Sequence, residues 1–109
     1  METFIETFRD FVSRAIELND WGFRDQVTRS GLSIPSNIAE GFERDAPKEI
    51  APFCQIAKGS CGELITQVYI GIEIGYVDRE KGMSWVKEAK EIGAMLAALI
   101  RRYRSRPST

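Results

Sequence analysis

The stretch of sequence that decides the fold runs from residue 50 to residue 76 and reads IAPFCQIAKGSCGELITQVYIGIEIGY. Small or apolar residues recur in it at alternating spacings of four and three, at Ile50, Cys54, Ala57, Cys61, Leu64, Val68, Gly71 and Gly75. This heptad spacing is typical of a helix that packs along its whole length. A second apolar row follows one residue later, at Ile65, Tyr69, Ile72 and Tyr76. Because two rows indicate neighbours on two sides, the pattern predicts subunit contacts as well as a core.

Helical periodicity extends outward from this stretch in both directions. The periodicity predicts helices over about residues 2–18, 21–43, 47–76 and 79–104. Since the connections between them are short, we expect neighbouring helices to run antiparallel. No stretch of useful length alternates between apolar and polar residues as a strand would. We therefore predict one all-α domain over residues 1–109, an antiparallel up-down-up-down four-helix bundle with a flexible tail at 105–109.

Several residues mark where these helices bend, end or begin. Pro35 lies inside the second predicted helix, and because proline removes a backbone hydrogen bond and clashes with the preceding turn, we expect that helix to be kinked or broken there. Gly75 and Tyr76 are suited to close the third helix, and Asp78 to cap the fourth. Glycine inside a helix costs about 1 kcal/mol relative to alanine. We therefore expect a neighbouring helix to approach closely at Gly59, Gly62, Gly71 and Gly75.

The composition is that of an ordinary globular protein. The chain has 109 residues, 43% of them hydrophobic and 28% charged, and a net charge of −1. It lacks the basic excess of proteins that hold nucleic acid by neutralising phosphates. Charged residues near the start interrupt any signal peptide, and the longest apolar run, 92–100, is about half as long as a membrane span. We expect a soluble, cytoplasmic protein with no membrane partner.

The residues needed for most catalytic centres are missing from the sequence. Histidine is absent, which excludes Ser-His-acid and Cys-His arrangements and the Glu-x-x-His ligands of di-iron bundles. Cys54 and Cys61 would lie roughly 10.5 Å apart along one helix, too far for a disulfide. They are predicted to be small buried apolar residues, with a reactive thiol or an intermolecular pair as the alternative. We predict no catalytic, metal or cofactor site and no small-molecule substrate.

A group of polar and small residues spans the end of the second helix and the middle of the third. Its members are Ser36, Asn37, Glu40, Gly41, Arg44, Lys58, Gly59, Ser60 and Glu63. One interpretation is a binding site. The interpretation that we prefer is a buried layer of charges and amides, or a subunit contact, in which Arg44 pairs with a carboxylate such as Glu63 and Gly41 permits close approach by another helix.

The only basic run in the chain lies at its end. It contains Arg101, Arg102, Arg104 and Arg106. Cations at a helix C-terminus complement the helix dipole and solvate the tail, which is the simpler interpretation. The alternative is a patch that contacts nucleic-acid phosphates, repeated by symmetry if the protein forms a ring.

The sequence SIPSNIAEGFER, from Ser33 to Arg44, resembles the signature of the 23S ribosomal-RNA intervening-sequence protein family. A second block also resembles that family, at Phe53, Ile56, Ala57, Gly59, Ser60, Glu63, Leu64, Gly75 and Tyr76. The resemblance, which covers about Val27 to Ile100, implies a four-helix bundle that assembles as a cyclic homopentamer with no established enzymatic activity. A related protein, the accessory variability determinant of diversity-generating retroelements, binds nucleic acid and a reverse transcriptase.

Two hypotheses about function follow from these observations. The first is a non-enzymatic, homo-oligomeric four-helix-bundle scaffold or interaction protein, which agrees with the two apolar rows and the missing catalytic residues. The alternative is an accessory RNA-binding protein that works with a reverse transcriptase. The first predicts assembly in solution, and the second predicts salt-sensitive binding of RNA.

Overall fold

The computed structural model describes residues 21–104, and in this range the protein is all-α. Its helices are α1 (Trp21–Glu43), α2 (Ile50–Glu73) and α3 (Arg79–Arg104), and a single 3-10 turn (Pro47–Glu49) precedes α2. The helix predicted over 2–18 and the tail predicted at 105–109 lie outside the described residues. Among residues 21–104 there are thus three helices and no strand.

The helix predicted over 47–76 consists of the 3-10 turn followed by α2. Its end is a Schellman motif: Gly75 has φ +85°, its N–H donates to the Ile72 carbonyl at 3.2 Å, and the N–H of Tyr76 donates to the Gly71 carbonyl at 2.8 Å. Only glycine adopts that φ without strain, which is why α2 ends here. The Asp78 carboxylate accepts the backbone N–H of Lys81 at 3.2 Å, so Asp78 caps α3 as predicted.

The helix α2 is the centre of the fold, since α1 and α3 both pack against it. The heptad row contributes its buried face, with Ile50, Cys54, Ala57, Cys61, Leu64, Val68 and Gly71 buried. Of the second row, Ile65, Ile72 and Tyr76 pack partly buried against this core, whereas Tyr69 is exposed. The second row therefore mainly widens the core, and a subunit contact along it stays a prediction.

The break predicted near Pro35 is wrong, because α1 continues through it to Glu43. One missing hydrogen bond in a helix of 23 residues is a local cost, and Val27 and Ile34, both fully buried, hold the helix against α2 on the N-terminal side of the proline. A kink at Pro35 stays a prediction. None of the described helices has an apolar stretch long enough to cross a bilayer.

Candidate functional site

A polar layer joins α1 to α2 beside the proline. The Asn37 side-chain amide donates to the Ser33 carbonyl at 2.8 Å and to the Ser33 hydroxyl at 2.9 Å. From α2, the hydroxyl of the buried Ser60 donates to the same Ser33 hydroxyl at 2.7 Å. Hydrogen bonds of this kind contribute about 1 kcal/mol each, and a buried hydroxyl without one is costly. The amide part of the predicted layer thus links α1 to α2. Ser33 also belongs to this layer, although it was not predicted as a member.

The charges of the predicted layer are arranged differently from our expectation. Arg44 pairs with Glu40, one turn earlier, at 3.0 Å rather than with Glu63, and the two side chains are 44% and 50% exposed. The Arg44 guanidinium also lies over the Phe53 ring, 4.9 Å from its centroid. Glu63 lies ten residues after Phe53, roughly 15 Å further along α2, and is therefore out of reach of Arg44. An exposed pair of this kind contributes about 0–1 kcal/mol.

Gly41 confirms the predicted close approach of a neighbouring helix. A Cβ atom built there would lie 2.9 Å from Phe53 Cβ and 3.4 Å from the Ile50 carbonyl oxygen. Both atoms belong to α2, so α1 and α2 touch here and leave no room for a methyl group. Gly71 is similarly tight, with Phe23 Cζ at 2.8 Å from the position of its missing Cβ.

For three other glycines the predicted close approach is wrong. At Gly59 and Gly62 in α2, and at Gly75 just beyond it, a Cβ atom would meet no atom of the described residues within 4 Å, and all three are exposed. Gly59 and Gly62 lie on the side of α2 that points away from α1 and α3. Ser36 and Glu63 are exposed as well, so these signature residues take no part in the polar layer.

The exposed side of α2 carries large apolar residues. Ile56, Ile70 and Ile74 are 52%, 49% and 53% exposed. We call this surface the outer row, and it consists of Ile56, Gly59, Glu63, Thr66, Ile70 and Ile74, at spacings of three or four residues. This surface was not predicted from the sequence, although isoleucines outside the two apolar rows of this helix were a visible signal.

The exposed side of α3 carries a second apolar surface. Met95 is 65% exposed, and Met83 is exposed too. A shallow groove of about 420 Å³ is lined there by Met83, Val86, Lys87, Lys90, Glu91 and Ala94. We call these six residues, together with Met95 and Ala98, the outer face of α3. Its cations, Lys87 and Lys90, outnumber its one carboxylate, Glu91.

The basic run lies at the end of the molecule where α1 ends and α2 begins. Arg101, Arg102 and Arg104 are exposed in the last turn of α3, which lies against the 47–49 turn; Arg106 lies outside the described residues. Beside them the exposed Phe42 ring meets the Tyr103 ring edge-on at 5.8 Å, and the Arg102 guanidinium lies 5.7 Å from the Tyr103 centroid. Cationic and aromatic groups are thus adjacent here.

The two cysteines are buried and free, as predicted. Desolvation by burial raises the pKa of both thiols, that of Cys61 to about 11. A thiol reacts through its thiolate, so these residues are protonated and unreactive at neutral pH. Residues 21–104 contain no cluster of three or more His, Cys, Asp or Glu side chains that could hold a metal ion.

Comparison with known proteins identifies relatives of this chain. No curated protein matches it. One solved structure, a protein of unknown function from the S23 ribosomal protein family of Bacteroides thetaiotaomicron, is similar with a TM-score of 0.74 and 23% identity, covering 88% of this chain and 96% of that one. At that identity the likeness shows the fold. The sequence profile of the family described as 23S rRNA-intervening sequence protein matches residues 2–98. The chain therefore belongs to the 23S rRNA-intervening sequence protein family.

Proposed function

We propose that the protein is a cytoplasmic homo-oligomeric scaffold that acts by binding rather than by catalysis. The whole chain forms a single-domain, up-down-up-down four-helix bundle in this proposal, and the family resemblance points to a pentamer. The subunit contact uses the outer row of α2. The signature residues hold α1 against α2. The surface of the assembled oligomer binds the partners of the protein.

The observation that supports this proposal is the exposure of three isoleucines on one helix. Burying an isoleucine completely is worth about 1.5–3 kcal/mol, so three that are half-exposed offer on the order of 3 kcal/mol to any surface that covers them. Gly59 in the same row adds room for a close neighbour, and nothing in the described part of the chain fills it. Contiguous apolar surface, which Ile70 and Ile74 provide one turn apart, is typical of interaction sites.

Light scattering coupled to size exclusion tests the proposal. The parent chain should elute with a mass several times the 12.3 kDa of the monomer at micromolar concentration. Ile70→Glu places a charge in the outer row and should release monomers. Leu32→Glu is the matched control, since Leu32 is 54% exposed on α1 and outside the row, and it should leave the mass unchanged. A parent chain that is monomeric at micromolar concentration would refute the proposal.

A second function, accessory binding of RNA, has one observation in its favour. The three arginines at the end of α3 adjoin the exposed Phe42 ring, and single-stranded nucleic acid is commonly held by cations together with aromatic stacking surfaces. A reverse transcriptase as the protein partner remains a prediction from the resemblance alone.

Filter binding of single-stranded RNA over a salt series tests this second function. Replacing Arg101, Arg102 and Arg104 by alanine should flatten the slope of log affinity against log salt by about 2, since single strands release roughly 0.7 counterion per phosphate contact. The triple replacement of Arg29, Lys58 and Arg79, exposed residues elsewhere, is the control for net charge. Equal slopes for the two triple variants would argue against an RNA site at the end of α3.

A further inference from the structure

We propose that α1 is a detachable helix, which opens away from α2 as one unit while α2 and α3 remain packed against each other. This inference goes beyond the proposed function and does not depend on assembly. Small domains usually unfold in a single cooperative step, and an element opens on its own only when it is held more weakly than the rest. The composition of α1, its buried surface and its contact with α2 all indicate such weak attachment.

The composition of α1 is unfavourable for a helix. Gly31 and Pro35 lie in its interior, and glycine and proline are the two residues least compatible with a helix. Residues that compete with the backbone for hydrogen bonds surround them, at Thr28, Ser30, Ser33, Ser36 and Asn37. By contrast, α3 consists mainly of alanine, leucine, methionine, glutamate, lysine and arginine, which favour a helix. α1 therefore depends on its contacts with the rest of the chain to remain helical.

α1 also buries little hydrophobic surface. Among the side chains that the structure describes, Val27 and Ile34 are its two buried hydrophobic residues, and Phe23 and Ile38 are partly buried beside them. The buried hydrophobic residues of α3 number six, namely Trp85, Val86, Ala89, Ile92, Leu96 and Ile100. Since burial of apolar surface is the main force that holds helices together, α1 is attached less firmly than α3.

Small and polar residues make much of the contact between α1 and α2. The Ser60 hydroxyl donates to the Ser33 hydroxyl, and the two helices touch at Gly41. Because both hydroxyls can bond to water once α1 has left, their hydrogen bond resists opening only weakly. The contact between α2 and α3 is apolar instead, since a Cβ atom built at Gly82 would lie 2.5 Å from Ile72 Cδ1. Opening of α1 therefore exposes the side of α2 that it covers and leaves α2 packed on α3.

Hydrogen–deuterium exchange of the full chain, resolved by residue with NMR, tests the inference. Protection is the ratio of the intrinsic to the observed exchange rate of an amide. The central amides of α1, at 27–34, should be about tenfold or more less protected than those at 61–68 in α2 and 89–96 in α3. Equal protection of the three helices would overturn the inference.

Gly41→Ala shows whether the amides of α1 report on its contact with α2. The added methyl group is crowded only while α1 is docked, so the substitution should lower the protection of α1 by about fivefold or more. Unchanged protection of α1 would contradict the inference.

Gly62→Ala separates opening of α1 from unfolding of the whole molecule. A Cβ atom at Gly62 meets no atom of the described residues within 4 Å, so the substitution favours the helix α2 equally whether α1 is docked or open. The amides of α2 and α3 should therefore gain up to about fivefold in protection, whereas those of α1 should not change. If the amides of all three helices gain equally, the protein unfolds as one unit and the inference is wrong.

Discussion

The tight contact at Gly41 gives the sharpest test of how α1 packs on α2. A methyl group added by Gly41→Ala would lie 2.9 Å from Phe53 Cβ and 3.4 Å from the Ile50 carbonyl oxygen. Neither neighbour is the far end of a flexible side chain, so the two helices must move apart. Overpacking of this kind costs about 1–3 kcal/mol. The gain in helix propensity is limited here, because Gly41 lies in the last turn of α1.

Gly62→Ala is the matched control for this prediction. A Cβ at Gly62 meets nothing within 4 Å, so the substitution should gain up to about 1 kcal/mol from helix propensity alone. The free energies of unfolding of the two variants should therefore differ by roughly 2–3 kcal/mol, with Gly41→Ala the less stable. Urea denaturation followed by far-UV circular dichroism measures the difference, at equal subunit concentration because assembly changes apparent stability.

A second variant identifies the atom responsible. The nearest neighbour of Gly41 is the Cβ atom of Phe53, which Phe53→Ala retains. The cost of Gly41→Ala should therefore persist in a Phe53→Ala background. If Gly41→Ala is as stable as Gly62→Ala, or if Phe53→Ala abolishes its cost, α1 and α2 are not in the backbone-level contact described above.

Three further predictions concern the polar layer, the surface ion pair and the thiols. Ser60→Ala removes the hydroxyl that links α2 to Ser33 and should lower the free energy of unfolding by about 1 kcal/mol, whereas Ser36→Ala, at an exposed position, should stay within about 0.5 kcal/mol of the parent by the same urea assay. Glu40→Ala should lower the free energy of unfolding by no more than about 1 kcal/mol, because the Glu40–Arg44 ion pair is half-exposed. A loss of about 3 kcal/mol in the monomeric Ile70→Glu background would contradict that exposure. Burial raises the pKa of the Cys61 thiol from 9.0 to about 11, so the thiol loses its proton at lower pH in the unfolded state than in the folded state. The free energy of unfolding should therefore fall as the pH rises from 9 to 11. Urea titrations at each pH measure this fall, and a Cys61→Ala variant should lack it.

The sequence predicted the three described helices because each has long, regular apolar spacing. Heptad positions such as Cys54, Leu64 and Val68 face the core, since a 3.5-residue repeat keeps one face of a helix against its neighbour. Gly75 and Asp78 were recognisable because turn chemistry restricts what occupies a C′ position or an N-cap. At Pro35 the local cost of proline predicted a kink or a break, and the helix is not broken there because tertiary packing offsets that cost.

The contacts of the polar group were less accessible to sequence reasoning. Spacing placed Glu40 and Arg44 on one face of α1, but it carried no information on which part of α2 lies opposite. Glu63 was therefore named as one possible partner of Arg44, whereas the partner is Glu40. Glycines looked alike in sequence, yet Gly71 is in tight contact and Gly59 is open. The difference depends on which side of α2 each one occupies, and that side is fixed only when α1 and α3 are in place.

Packing explains part of the family signature. Within SIPSNIAEG, Ser33 accepts hydrogen bonds from Asn37 and from Ser60 across the helix contact, and Gly41 lets the two helices touch. These residues have internal partners, so a ligand would have to displace them. Half of the outer row of α2, namely Ile56, Gly59 and Glu63, belongs to the second block that resembles the family, whereas the outer face of α3 contains no residue of either block. Part of the resemblance to the family thus lies on the surface that we propose as the subunit contact.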